Sequence, residues 1–284
     1  MKYSYFLLPL IACVLGCGNK GETVAPKGQA VAQQAADDDA DEQLELTLDT
    51  LRFHKQTKEM EVRLVVDFPR SGPVVLVNAI EELISEALGG TYDGPMDSGK
   101  QMLDHYGKVE IDSLRNVYRG FEFPDPPTLY YSMNIRKLHE TPRYITYSTK
   151  CEDFLGGAHG MHTFSATTVR KSDGRRFGWD MLRNTDSEAF HQLIKSGLKS
   201  YFQELDIDVS TDELLAEQLA PDMVPDYLPL PKAAPYFSPR GVEFIYQPYE
   251  IAPYAVGMPA FTLSIKQIRP YLTVSAQKLL QGGN

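Results

Sequence analysis

From Leu44 the chain alternates between apolar and polar positions. Leu44, Leu46 and Leu48 are separated by Glu45, Thr47 and Asp49. After a polar run at 54–58 the alternation resumes at Met60, Val62, Leu64, Val66 and Phe68. A period of two on both sides of a short polar turn predicts a β-hairpin with one buried face. Pro69, Gly72 and Pro73 are expected to end it. The period then lengthens. Val77, Ile80, Leu83, Ile84, Ala87 and Leu88 recur at helical spacing, and Gly89 and Gly90 supply a stop. A second helix is predicted over about 99–119, with Leu103, Tyr106, Leu114, Val117 and Tyr118 inward and Gly120 at its end.

Prolines at 124–127 separate this segment from a strand-rich stretch. Leu129, Tyr131, Met133 and Ile135 alternate with polar neighbours, and 143–151 and 162–170 predict two further strands, the latter followed by an Asp173-Gly174 turn. Thr185-Asp186-Ser187-Glu188 and Ser210-Thr211-Asp212-Glu213 each match a capping box that opens a helix. Prolines between 221 and 239 are expected to interrupt regular structure. Val242, Phe244 and Tyr246, then Phe261, Leu263 and Ile265, predict two closing strands. Helices set between antiparallel strand pairs indicate an α+β fold with antiparallel sheets, in two linked segments at 44–140 and 141–284.

The first 43 residues follow different rules. Lys2 precedes a largely apolar run over 5–15, the length of a secretory signal core and too short for a spanning helix of ~20 residues. The run closes on Val14-Leu15-Gly16-Cys17, which resembles a bacterial lipobox. The resemblance implies a signal peptide over 1–16, cleavage before Cys17 and a lipid on that cysteine. An ordinary cleaved signal peptide with an incidental cysteine is the alternative. Residues 17–43 have almost no large apolar side chains and carry the acidic run at 37–42, the composition of a flexible, solvated tether. Together these features predict a chain anchored on an envelope membrane and facing the periplasm or exterior.

Composition narrows the field. With 28 Lys+Arg against 38 Asp+Glu, the formal net charge of −10 argues against a nucleic-acid partner. Of three cysteines only Cys151 lies in the body of the chain, so a disulfide framework is excluded. No serine-hydrolase elbow, zincin helix or P-loop is present. No cofactor is expected, and no catalytic residue is singled out.

Two strings stand out. Gly156-Gly157-Ala158-His159-Gly160 lies between two predicted strands, where His159 is a candidate binding donor or proton shuttle. A tight strand connection whose histidine satisfies a neighbouring carbonyl accounts for the same string. His159 and His162 are three apart, but in a strand such a pair points to opposite faces, so no metal site is expected. The second string runs from Tyr246 to Gly257 and holds Tyr249, Glu250 and Tyr254 between two prolines. Aromatic rings stack on apolar sugar faces and a carboxylate accepts sugar hydroxyls, which makes these three candidate binding residues. Packing of a loop over the core is the competing explanation.

The block from about 140 to 272 carries Gly156-Gly157-Ala158-His159, the Asp173-Gly174 turn, Trp179-Asp180-Met181-Leu182 and the 248–257 string. It resembles the RsiV-type C-terminal domain family, an extracytoplasmic domain of unknown function. Residues 44–140 are similar, more weakly, to the PdaC/RsiV-like domain that usually precedes it and that also occurs beside the catalytic domain of some peptidoglycan deacetylases. The resemblance implies an α+β recognition module. In the member that names the family, an anti-sigma factor, the ectodomain binds lysozyme. Neither a sigma-binding segment nor a deacetylase domain is expected from these residues, so what the resemblance carries over is a binding scaffold. The expected partner is cell-wall glycan or an envelope protein such as lysozyme. A glycan hydrolase using His159 and Glu250 as acid and base, and a purely structural envelope protein, are the alternatives.

Overall fold

The computed structural model describes residues 45–120 and 128–280. The expected signal peptide, Cys17, the tether, Leu44 and the prolines at 124–127 lie outside the described residues. No helix among the described residues is long and apolar enough to cross a membrane.

The fold is α+β with two sheets. The predicted hairpin forms as β1 (Thr47–Gln56) and β2 (Met60–Ser71). β2 runs on through Pro69, which pairs with Leu48 beside a register shift, so proline does not end the strand; it sits where the ladder is already irregular. α1 (Val74–Leu88) and α2 (Gly99–Gly120) follow at the predicted positions. They bury Leu76, Ile80, Leu83, Ile84 and Leu88, and Met102, Leu103, Tyr106 and Leu114, against Val62, Leu64 and Val66 of β2. β3 (Leu129–Glu140), β4 (Tyr144–Phe154) and β5 (Met161–Arg170) complete a sheet of order β1-β2-β3-β4-β5. One pair departs from the antiparallel expectation: β2 and β3 are parallel. The two helices between them form the crossover connection that a parallel pair needs. The sheet is continuous across residue 140, with β3 and β4 joined over their whole lengths.

The other sheet face carries the rest of the chain. A 3-10 turn at Trp179–Met181 leads to α3 (Glu188–Glu204) and α4 (Asp212–Ala216). Their N-caps are Ser187 and Thr211, each accepting the third residue's N–H, rather than the Thr185 and Ser210 implied by the capping-box pattern. A small antiparallel sheet, β6-β7-β8, follows: β6 (Tyr236–Ser238), β7 (Gly241–Ile245) and β8 (Ala260–Leu263). β6 lies inside the proline-rich stretch expected to be irregular; Pro235 and Pro239 flank it without entering it. Ile265 does not continue β8. Ser264 and Gln267 form a reciprocal capping box that turns the chain into α5 (Ile265–Ile268), and α6 (Val274–Leu279) closes the described chain.

Phe190, Ile194, Leu198 and Phe202 of α3 pack on Phe244, Phe261 and Leu263 to form a second core. The approach is close: a Cβ on Gly197 would lie 2.1 Å from the Phe261 ring. Tyr144 reaches this second core from β4, while Ile145 and Tyr147 face the first, so the large sheet separates the two.

Candidate functional site

The two strings singled out in the sequence meet. The tip of the β4–β5 hairpin turns on Gly156 (φ 93°) and Gly157 (φ 102°), a backbone region that favours glycine. The loop after β7 comes back against it and is tied to the edge strand by one side chain. Gln247 Nε2 donates to the Phe164 carbonyl at 2.8 Å, and its Oε1 accepts the Phe164 N–H at 3.2 Å. This amide thus substitutes for a missing neighbouring strand on the free edge of β5.

The loop places Tyr254 between two histidines. The His159 ring stacks on Tyr254 with centroids 4.1 Å apart, and the His162 ring meets it edge-on at 5.6 Å. Tyr249 lies 5.4 Å from Tyr254 and 6.5 Å from His159, centroid to centroid. Tyr254 Oη donates to the Gly160 carbonyl at 2.8 Å, so it accepts from His162 Nδ1 at 3.2 Å. His159 Nδ1 donates to the same carbonyl at 2.8 Å, and its Nε2 lies 3.2 Å from Tyr249 Oη. Gly160 is required here, since a Cβ would fall 2.4 Å from the Asp153 carbonyl oxygen.

Tyr249 carries the strain of the arrangement. It is 54% exposed and has φ 65°, left-handed for a bulky aromatic residue. Glu250 holds that turn. One carboxylate oxygen accepts the Lys232 N–H at 2.6 Å and the other the Gln247 N–H at 2.7 Å. Both Glu250 oxygens are therefore engaged by the backbone, and the residue acts as a strut for the loop. Of the four candidates among the described residues, His159, Tyr249 and Tyr254 come together and Glu250 supports them from behind. Sequence reasoning overlooked His162 as a member and Gln247 as the tie. The fifth candidate, Cys17, lies outside the described residues.

The arrangement offers an aromatic shelf edged with hydrogen-bonding groups, suited to stacking against a flat apolar surface while bonding polar groups at its rim. Among the described residues no group of three or more His, Cys, Asp or Glu side chains is placed to hold a metal ion. Cys151 is half-buried on the helix-facing side of β4, and burial raises its thiol above the ordinary cysteine value, opposite to what an activated nucleophile needs.

Comparison with known proteins extends to the fold and to one matched segment. No curated protein matches the chain. A DUF3298 family member from Bacteroides fragilis has the same fold, with TM-score 0.68 at 18% identity over 84% of this chain and 98% of that one. A DUF3298 family protein from Pseudomonas aeruginosa gives TM-score 0.56 at 14% identity over 83% of this chain and 97% of that one. A family model described as a protein of unknown function, DUF3298, matches residues 185–266, from the approach to α3 through the small sheet. The loop bearing Tyr249 and Tyr254 therefore lies within the residues that this model matches, and the hairpin bearing His159 lies outside them.

Proposed function

We propose that this protein is a lipid-anchored binding module of the bacterial cell envelope, RsiV-like in its C-terminal half, that recognises cell-wall glycan on the shelf formed by His159, Tyr249 and Tyr254. The observation that carries the reading is Tyr249: an exposed aromatic ring on a left-handed backbone, held in place by Glu250 and aligned with two further rings. Strain of this kind costs about 1–3 kcal/mol and persists where the surroundings impose it, commonly at binding sites. Stacked aromatic rings with hydroxyl and imidazole groups at the rim match the alternating apolar faces and hydroxyl edges of a sugar chain. The lipobox-like Cys17 and the acidic tether support an envelope location.

The test is capture by the immobilised chain from solubilised envelope and peptidoglycan fragments, read by mass spectrometry. Muropeptides are expected to be retained by the natural sequence and lost with His159→Ala. Retention of a lysozyme-like protein without muropeptides would replace the glycan by a wall-acting protein as the partner. If nothing from either pool is retained, the proposal fails.

A further inference from the structure

We infer that the aromatic shelf is one end of a longer site that continues across the large sheet over Tyr130 and Phe154, and that its ligand is an oligosaccharide with a sugar on each aromatic platform. The inference rests on the glycan reading above and adds the length of the ligand and the residues that meet its second part. Tyr130 of β3 stands directly opposite Phe154 of β4, and their rings stack with centroids 6.2 Å apart. Tyr130 is 39% exposed and Phe154 half-buried. This second platform adjoins the first at Gly160. Tyr254 Oη holds the Gly160 carbonyl, and a Cβ built on the same glycine would lie 3.2 Å from Tyr130 Oη.

Strand register puts both platforms on one face. Leu129, Tyr131 and Met133 pack into the helix-side core, so Tyr130 and Ser132 point to the opposite side. Ser132 pairs with Glu152, and Glu152 with His162, whose ring meets Tyr254. Two rows thus cross the strands. Tyr130 and Phe154 lead to Gly160, while Ser132, Glu152 and His162 lead to Tyr254. Neither the Tyr130 nor the Ser132 hydroxyl has a hydrogen bond to protein among the described residues. Exposed rings with free hydroxyls beside them suit the apolar faces and hydroxyl edges of successive sugars.

Charge does not select the ligand. On this face Glu152 pairs with Lys150 at 2.7 Å, and Glu61, beside Tyr130, pairs with Arg63 at 2.6 Å and with His54 at 3.1 Å. Asp153 stands opposite Tyr131 and so faces the helices, where Glu110 of α2 lies. Lys232 lines a groove on that same helix side, with Leu83 and Ala87 of α1. Acids and bases around the second platform are therefore matched, and stacking and hydroxyl contacts are left to hold the ligand. A sugar chain offers both in every unit, so one chain can span the two platforms.

Titration of the full chain with N-acetylglucosamine and with its tetramer tests the length of the site. The natural sequence is expected to bind the tetramer at least about tenfold more tightly than the monomer. Tyr130→Ala is expected to weaken the tetramer about tenfold, the loss of one stacked ring, and so to bring the two sugars closer in affinity. Tyr130→Phe keeps the ring and is expected to retain most of the tetramer affinity, with melting temperature confirming that both variants fold. Tetramer binding is expected to be the same at low salt and at about 0.5 M, where charge contacts are screened. Equal affinity of the natural sequence for monomer and tetramer, or a marked weakening with salt, would overturn the longer site. Loss of the tetramer in Tyr249→Ala but not in Tyr130→Ala would end the site at the shelf and leave the glycan reading standing. Binding of peptidoglycan fragments without the tetramer would do the same. Failure of the natural sequence to bind any of these glycans would remove the glycan reading itself.

Discussion

Tyr249 is the residue at which conformation and chemistry are most closely linked. Glycine would occupy φ 65° without strain, yet the position holds a large exposed ring. Replacing Tyr249 by glycine relieves the backbone and removes the shelf. The melting temperature of Tyr249→Gly, followed by calorimetry, is expected to stay level or rise, while glycan binding is lost. A marked fall in melting temperature would instead make Tyr249 a packing residue. At this scale the sequence was partly informative. Glycines and prolines marked both strings because they govern backbone φ, but His159 and Tyr249 are 90 residues apart and nothing local records that they meet. Glu250 looked like a ligand because its carboxylate was visible. Its two backbone donors were not, since Lys232 N comes from a different part of the chain. His159 Nδ1 satisfies the Gly160 carbonyl, as the tight-connection explanation expects, and its Nε2 lies 3.2 Å from Tyr249 Oη.

Among the elements, β2 is the one on which the large sheet depends, and Asp67 ties it to both neighbours. Thr50 of β1 donates to Oδ1 at 2.8 Å; the Lys137 N–H and Arg136 Nε of β3 reach Oδ2 at 3.1 and 2.8 Å. Burial pushes the Asp67 carboxyl upward, but these hydrogen bonds and the Arg136 charge outweigh it and hold the group below its ordinary value of 3.8. A depressed carboxylate stabilises the fold above its ordinary value, and that stabilisation is lost as pH falls through the folded value. Asp67→Asn presents an amide NH2 to donors and is expected to cost about 1–3 kcal/mol at pH 7, measured by urea unfolding. The difference from the natural sequence should shrink below about pH 4. Constant destabilisation from pH 7 to pH 3 would contradict this role. The hairpin, α1, α2 and the β3 to β5 meander were legible because each is long and strongly periodic. The parallel pairing of β2 with β3 was not, because alternation records which face is buried and not which strand lies alongside. Likewise β6, α5 and α6 are too short to display a period, and the caps of α3 and α4 fell one or two residues away because several Ser and Thr residues compete there.

Across the whole molecule, two cores are joined through the large sheet by a closed ring of hydrogen bonds. Phe237 N–H of β6 donates to Thr168 Oγ1 at 2.9 Å, Thr168 donates to Thr146 Oγ1 at 2.8 Å, and Thr146 donates to the Phe237 carbonyl at 3.0 Å. Thr146 and Thr168 are fully buried, so each bond lost leaves an unpaired polar group. Thr168→Val is expected to destabilise by about 1–3 kcal/mol, and thermal unfolding followed at both cores should show whether they still melt together. An unchanged midpoint would mean that apolar packing alone joins the small sheet to the large one. The ring matters for the proposed function because the shelf draws His159 and His162 from the large sheet's hairpin and Tyr249 and Tyr254 from the segment that the DUF3298 model matches. Only a fixed relation between them keeps the rings aligned. The decisive measurement is equilibrium binding of purified peptidoglycan fragments to the full chain and to Tyr249→Ala, with folding checked by melting temperature. The account predicts binding by the natural sequence and at least about tenfold weaker binding by an equally stable variant. Equal binding by both, or none by the natural sequence, would contradict it.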